Sequence, residues 1–345
     1  MAQLRPFRCH LPAVSALLSA LLWVAAAAAQ TPEPADYTAG RAALVAQMAA
    51  RHGFDPAALA GLLAQANYLQ SVVDAMERPY ERMPWHRYRT LFLTPQRIAD
   101  GLAYWRANAD TLARAQAVYG VSAETIVAIV GVETQYGRRM GDYRVLDALT
   151  TLGFAYPKRA EFFRRELESF LLLQREAGLD PLAVKGSYAG AMGKPQFIPS
   201  SYRAYAVDFD GDGRRDLWGS DADAIGSVAN YFRAHGWRAG EPVAIPVTLA
   251  LPPRDGTLAG IAVAGHAPLA PNTTAAALRV AGVDWREPLE SATPATLIRF
   301  DAEPDEYWLG LANFYAMTRY NNSNLYAMAV YRLSLELRAR RAEGA

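Results

Sequence analysis

Six stretches of this chain repeat apolar residues every three or four positions, and that repeat fixes most of what it can become. They run over 39–51, 56–64, 95–119, 123–136, 159–176 and 224–235, with the period of helices that bury one face. Gly53, Gly120, Gly137, Gly178 and Gly236 stand at or near their ends, where a left-handed residue closes a helix without a Cβ penalty. Between 241 and 300 the pattern changes to short apolar runs (243–251, 262–263, 278–280, 295–300) broken by Pro, Gly and Asp, which reads as strands and turns. Helical spacing returns over 308–318 and 325–340. The expected fold class is mainly α within α+β. It divides into a helical N-terminal region (30–122), a helical core (123–240), a small β-rich insertion (241–300) and helices that return to the core (301–345).

Composition narrows the function classes. A net charge of +1 and 20% charged residues exclude a largely disordered chain and a nucleic-acid binder that works through bulk basic charge. The single cysteine, Cys9, excludes an intramolecular disulfide framework and any multi-cysteine metal site, and five histidines leave little for a histidine-rich one. Arg5 and Arg8 precede an uncharged stretch from Leu11 to Ala29 that ends in alanines. This is the pattern of a cleaved signal peptide over 1–29, although the stretch is also long enough for a retained anchor. Cys9 lies before the apolar run, where a lipid-modified cysteine would follow it. The expectation is an exported, periplasmic protein. Removing the two arginines and no acid takes the charge from +1 to −1.

Asp208-Phe-Asp210-Gly-Asp212-Gly213-Arg214-Arg-Asp216 continues through Asp221 to Asp223. Carboxylates at loop positions 1, 3, 5 and 9, with Gly at position 6, follow the EF-hand spacing. Arg214, at position 7, would offer only its backbone carbonyl. Position 12 is Gly219 rather than the usual bidentate Glu, so Asp223 is the first choice to close the cage and Asp221 the second. Six acids in sixteen residues repel one another unless a cation neutralises them. The expected cofactor is a structural Ca²⁺, with no organic cofactor.

In the 123–136 helix Ser122 is placed to cap the start and Gly137 to end it. Ile126, Ile129, Val130 and Glu133 fall at i, i+3, i+4 and i+7, so Glu133 shares the apolar face. A carboxyl there loses hydration and holds its proton to higher pH, as a general acid requires. The alternative is a structural glutamate paired with Arg138 or Arg139. Lys185-Gly186-Ser187 through Gly190, Gly193 and Gln196 to Tyr202 is glycine-walled, so a ligand can approach its backbone while Ser187 and Gln196 donate hydrogen bonds. Tyr88, Tyr231, Tyr320 and Tyr326 add rings with polar tips, which suit sugar faces.

Together these segments resemble the lytic murein transglycosylase B family. The motifs that carry the resemblance are Gly131-Val-Glu133-Thr-Gln-Tyr-Gly137, Asp147-Ala-Leu-Thr-Thr-Leu, Tyr156-Pro-Lys-Arg-Ala-Glu-Phe162, the Lys185–Tyr202 segment, Tyr205-Ala-Val-Asp208-Phe-Asp-Gly-Asp, Asp223-Ala-Ile-Gly-Ser-Val-Ala-Asn-Tyr231 and Asn313-Phe-Tyr through Ala329. The resemblance implies a lysozyme-like helical core with a further helical domain and a small β domain. It implies cleavage of the β-1,4 bond between N-acetylmuramic acid and N-acetylglucosamine, in which the muramyl 6-hydroxyl attacks to leave a 1,6-anhydro end. The catalytic group would be a single glutamate, Glu133. Tyr88, Ser187, Gln196, Tyr231, Tyr320 and Tyr326 would line the sugar groove, and Lys158 and Arg159 would meet the lactyl and peptide carboxylates. Lys stands where the family usually has Arg, and it lacks the planar bidentate contact. The metal set would be Asp208, Asp210, Asp212, Arg214, Asp216 and Asp223. Peptidoglycan glycan strands are the implied partner of an enzyme expected as a monomer, with cell-wall synthesis proteins as candidate partners. A lysozyme-type hydrolase of the same bond and a non-catalytic peptidoglycan-binding protein are the competing readings.

Overall fold

The computed structural model describes residues 35–77 and 83–343. Residues 1–29, where a signal peptide is expected, lie outside the described residues, and Cys9 with them. Among the described residues no single helix is long and apolar enough to cross a membrane.

The chain opens with α1 (Ala35–His52), α2 (Pro56–Leu63), α3 (Gln70–Met76), α4 (Trp85–Tyr88), α5 (Pro95–Ala107), α6 (Ala109–Tyr119) and α7 (Ala123–Thr134). The stretch expected as one helix over 95–119 is two. Asn108 breaks it, and its side-chain and backbone nitrogens both donate to the Tyr104 carbonyl, at 3.0 and 3.1 Å. A short ribbon, β1 (Tyr143–Arg144) paired with β2 (Lys185–Gly186), brackets α8 (Val145–Ala155) and α9 (Ala160–Ala177). Helix α8 escapes the amphipathic pattern because residues 145–154 are all buried, polar Asp147, Thr150 and Thr151 included, and a helix with no solvent face shows no three-to-four alternation. Then come α10 (Pro199–Tyr205) and α11 (Asp221–Ala234).

The β-rich part holds β3 (Ala244–Leu249), β4 (Thr257–Leu258), β5 (Ile261–Ala262), β6 (Thr273–Thr274), α12 (Ala275–Val280), β7 (Val283–Asp284), β8 (Pro294–Phe300) and β9 (Glu306–Gly310), before α13 (Ala312–Thr318) and α14 (Asn324–Glu343). Two readings change here. The 278–280 run ends a helix that Thr274 caps by accepting from the Ala277 N–H at 3.3 Å. Residues 308–310, expected to be helical, belong to β9, which lies between β8 and β3 in a five-stranded sheet ordered β6-β8-β9-β3-β7. Leu297 pairs with Leu309, and Leu309 with Ile245, so one face of this sheet makes a small core with Leu278, Val283 and Trp285.

The helical body has two apolar clusters that do not follow the chain. One gathers α4 to α7, α11, α13 and α14 around Ile126, Ile129, Val130, Phe232 and Leu333. The other gathers α1, α2, α3, α8 and α9 with Met192, Phe197 and Tyr202. Each fully buried Leu, Ile or Phe in them contributes roughly 1.5–3 kcal/mol. Asp147 ties the second cluster together. It is buried, Arg144 donates to both its oxygens (2.9 and 2.6 Å), and the Asn67 N–H adds a 2.9 Å bond from the segment after α2. Tyr320 packs against both clusters, and the last turn of α7 lies beside it.

Candidate active site

Helix α7 lies deep in the first cluster, with Ile126 to Val130 fully buried. It stops at Thr134, two residues before the expected end, because Gln135 and Tyr136 take left-handed conformations (φ 51° and 60°). That reversal folds the Tyr136 ring back over Gly131, and its hydroxyl donates to the Arg97 carbonyl at 2.9 Å. Two successive non-glycine residues in this region store strain of order 1–3 kcal/mol each, which persists where surrounding structure imposes it. Here it ends the helix one residue after Glu133.

Glu133 keeps part of its surface open. Its hydrogen-bond partner is Tyr326 of α14, whose hydroxyl donates to Oε1. Loss of hydration lifts the carboxyl from 4.5 to about 7, and the Tyr326 hydrogen bond pulls the other way. The alternative of an arginine lock fails, because Arg138 pairs with Asp100 and neither Arg138 nor Arg139 figures among the forces on Glu133. Burial and the nearby Glu133 carboxylate raise the Tyr326 hydroxyl far above its ordinary value, so it stays a donor. Tyr320 stacks on Tyr326 (6.4 Å between centroids, 11°), and Tyr231 meets Tyr320 at 4.8 Å. Tyr88, which packs on Phe92 at 5.2 Å, is close enough to act on the Tyr326 hydroxyl. Glu133 and the four tyrosines therefore form one group, in which Tyr88, Tyr231 and Tyr326 are buried and Tyr231 donates to the Arg319 carbonyl. Tyr320 donates to the Pro195 carbonyl at 2.7 Å.

The Ser187–Phe197 segment adjoins this group where Phe197 packs on Tyr320 at 5.9 Å, and it is closed by reciprocal bonds between Met192 and Phe197 (2.8 and 3.0 Å). Ser187 Oγ accepts from the Ala189 and Ala191 N–H groups at 3.3 and 3.1 Å, which leaves its O–H to donate. Gln196 departs from its expected role as donor. Its Nε2 already donates to the Met140 and Gly193 carbonyls, at 3.1 and 2.9 Å, so its amide offers an acceptor. Gln196 is itself left-handed (φ 51°). Lys158 and Arg159 make their contacts elsewhere, on the turn before α9. Lys158 holds both oxygens of Glu77 at 2.7 Å, and the Arg159 guanidinium lies 4.5 Å from the centre of the Phe162 ring.

In the acidic loop, carboxylate oxygens of Asp208, Asp210 and Asp212 lie within 4.8 Å of one another on the surface. Asp208 also accepts from the Gly211 and Gly213 N–H groups at 2.7 and 2.8 Å, which rounds the loop. The other members of the expected set behave differently. Asp223 is fully buried and accepts from the backbone of Phe209, Asp210 and Asp216 at 2.6, 3.3 and 2.7 Å. It therefore organises the loop from beneath, where the expectation had it closing a cage. Asp216 turns its Oδ1 to the Trp218 and Gly219 N–H groups. Arg214 is exposed and its N–H donates to Asp212 at 2.8 Å. The helix expected over 224–235 begins earlier, at Asp221, with Ser220 as its cap.

The Transglycosylase SLT domain family matches residues 37–335, a span that holds Glu133, the four tyrosines and the acidic loop. The chain belongs to the lytic murein transglycosylases. The membrane-bound lytic murein transglycosylase B of Escherichia coli is 46% identical over 303 residues, 83% of this chain and 79% of the relative. Among solved structures, the soluble lytic transglycosylase SltB1 of Pseudomonas aeruginosa is 49% identical, with a TM-score of 0.80 over 89% of this chain and 100% of that one. Slt35 of Escherichia coli in complex with calcium is 45% identical, with a TM-score of 0.77 over 89% and 94%. SltB3 of Pseudomonas aeruginosa, solved with NAG-anhNAM-pentapeptide, is 33% identical, with a TM-score of 0.74 over 88% and 80%. The lysozyme-like, helix-rich fold and the peptidoglycan-cleaving activity expected from the sequence motifs both hold. In this lytic murein transglycosylase the sequence alone gives no signal for Thr134 and Lys194, which tie the Gly193–Gln196 turn to the end of α7.

Proposed function

We propose that Glu133 is the single acid and base of this transglycosylase. Held neutral by desolvation, it gives its proton to the glycosidic oxygen as the bond from that oxygen to the muramyl anomeric carbon breaks. The substrate's own acetamido group would stabilise the oxocarbenium-like centre, since no second carboxylate acts on Glu133. The carboxylate then takes the proton of the muramyl 6-hydroxyl as that oxygen bonds to the anomeric carbon. Glu133 ends as it began, and no water enters the balance. Tyr326 serves both halves, because its hydroxyl fixes Oε1 and stabilises the ionised form between them. Tyr88, Tyr231, Tyr320, the Ser187 hydroxyl and the Gln196 carbonyl would contact the sugar chain, and Lys158 and Arg159 the stem peptide further out. The observation that carries the reading is one desolvated glutamate anchored by a tyrosine. Mass spectrometry of muropeptides released from purified sacculi should find 1,6-anhydromuramyl ends, and reducing muramyl ends in their place would overturn it.

The three clustered aspartates, all hard oxygen donors turned to one point, fit a calcium ion. We propose that Asp208, Asp210 and Asp212 hold it, with the Arg214 carbonyl and Asp216 filling further positions. Asp223 would act by shaping the loop, and the ion would supply structure rather than chemistry. We also propose that residues 1–29 export the protein to the periplasm, where its peptidoglycan substrate lies.

A further inference from the structure

Resting on that reading of Glu133, we infer that Lys194 is a positioning residue, a strut that fixes the catalytic end of α7 against the start of α11. Its side chain is 11% exposed, and its Nζ donates to Asp221 Oδ1 at 2.7 Å and to the Gly219 carbonyl at 3.3 Å. Its N–H donates to the Leu217 carbonyl at 2.8 Å. No Cβ fits at the preceding Gly193, where one would lie 2.6 Å from that same carbonyl oxygen. The turn is thus bound tightly to the exit of the acidic loop.

Two consecutive carbonyls of the turn bind neighbours of Glu133, one in the chain and one in space. The Lys194 carbonyl accepts from Thr134 Oγ1 at 2.9 Å, and Thr134 is the residue after Glu133. The same Thr134 oxygen accepts from the Gly137 N–H at 3.0 Å, inside the left-handed reversal. The Pro195 carbonyl accepts from Tyr320, which stacks on Tyr326, the hydrogen-bond donor to Glu133. The Lys194 stem also packs against the reversal that follows Glu133, since a Cβ on Gly137 would stand 3.1 Å from its Cε. A shift of the turn therefore moves both the backbone beside Glu133 and the tyrosine that anchors its carboxyl. A nearly buried ammonium is a costly way to fill space among Gly, Pro and Met, and adds geometry more than stability. Catalytic groups lose rate steeply when displaced by an ångström.

The test compares Lys194→Met, Lys194→Arg and Asp221→Asn in the full enzyme, measuring kcat, KM, the pH dependence of kcat/KM, the melting temperature and the released products. Lys194→Met should lower kcat about tenfold or more with KM changed less than about threefold. It should also displace the alkaline limb of the pH profile while the 1,6-anhydro product is unchanged. Lys194→Arg should recover most of the rate, and Asp221→Asn should shift the same limb in the same direction. Wild-type kcat and an unmoved limb in Lys194→Met overturn the inference, as does a rate that falls only in step with the folded fraction. If Lys194→Met does not fold, Asp221→Asn decides by the same limb. Absence of anhydro ends from the wild-type enzyme would instead strike the proposed function and leave the Lys194 result readable.

Discussion

Replacing Glu133 with Gln separates desolvation from every other account of this residue, because the two side chains match in shape and only one ionises. In the folded protein the carboxyl titrates near 7, and in the unfolded chain near 4.5. Between those values the folded state holds a proton that the unfolded state has lost, so the wild-type protein loses stability as pH rises through this window. At about 1.4 kcal/mol per pH unit the full loss is about 3 kcal/mol, complete above pH 7 and absent below 4.5. An amide at this position would carry no such penalty. The stability of Glu133→Gln relative to wild type should therefore climb by about 3 kcal/mol from pH 4.5 to pH 8. For a chain of this size that is about 4 °C in melting temperature. Urea titrations of both proteins at several pH values read this directly, and any constant offset from the changed hydrogen bond with Tyr326 cancels. The same variant should lose about 10²- to 10⁴-fold in activity. A stability difference that stays flat across the window would show that Glu133 is hydrated, and the argument for a neutral general acid would fall with it.

Tyr326→Phe removes the hydrogen bond that favours the carboxylate, so the Glu133 pKa should rise further and the alkaline limb of kcat/KM should move upward, at about 1 kcal/mol of stability; a limb that stays put would exclude Tyr326 as its anchor. In wild type that limb should fall tenfold per pH unit above about 7, which a rate profile on soluble glycan strands can check. Chelation should lower the melting temperature, and calcium at a hundredfold excess over its Kd should restore about 2.7 kcal/mol. Asp208→Ala should abolish that response, and a melt indifferent to chelator would leave the loop without an ion. Asp147→Ala strands the Arg144 guanidinium and the Asn67 N–H, costing about 3 kcal/mol and exposing α1 to α3 to limited proteolysis; an unchanged urea midpoint would contradict the role assigned to that ion pair.

Most of the helical body is legible in the sequence, since an amphipathic helix announces itself through local spacing. What fails locally has a physical reason in each case. Helix α8 is buried all round and so has no polar face to set a period. Strand β9 is short, and its place between β8 and β3 depends on partners on either side of it in the sheet. The end of α7 depends on Tyr136 finding Gly131 and the Arg97 carbonyl. Asp223 carries the same carboxylate as Asp208, yet burial beneath the loop turns it toward backbone N–H groups.

Residue order within a few turns of chain is enough to put Glu133 on an apolar helix face and to crowd carboxylates into one glycine-rich loop. What Glu133 touches follows from the folded chain alone. Tyr326 lies 193 residues away, and no local period records which distant hydroxyl a helix face will meet. The fold also sets Lys194 between the end of α7 and the start of α11, which lie far apart in the chain.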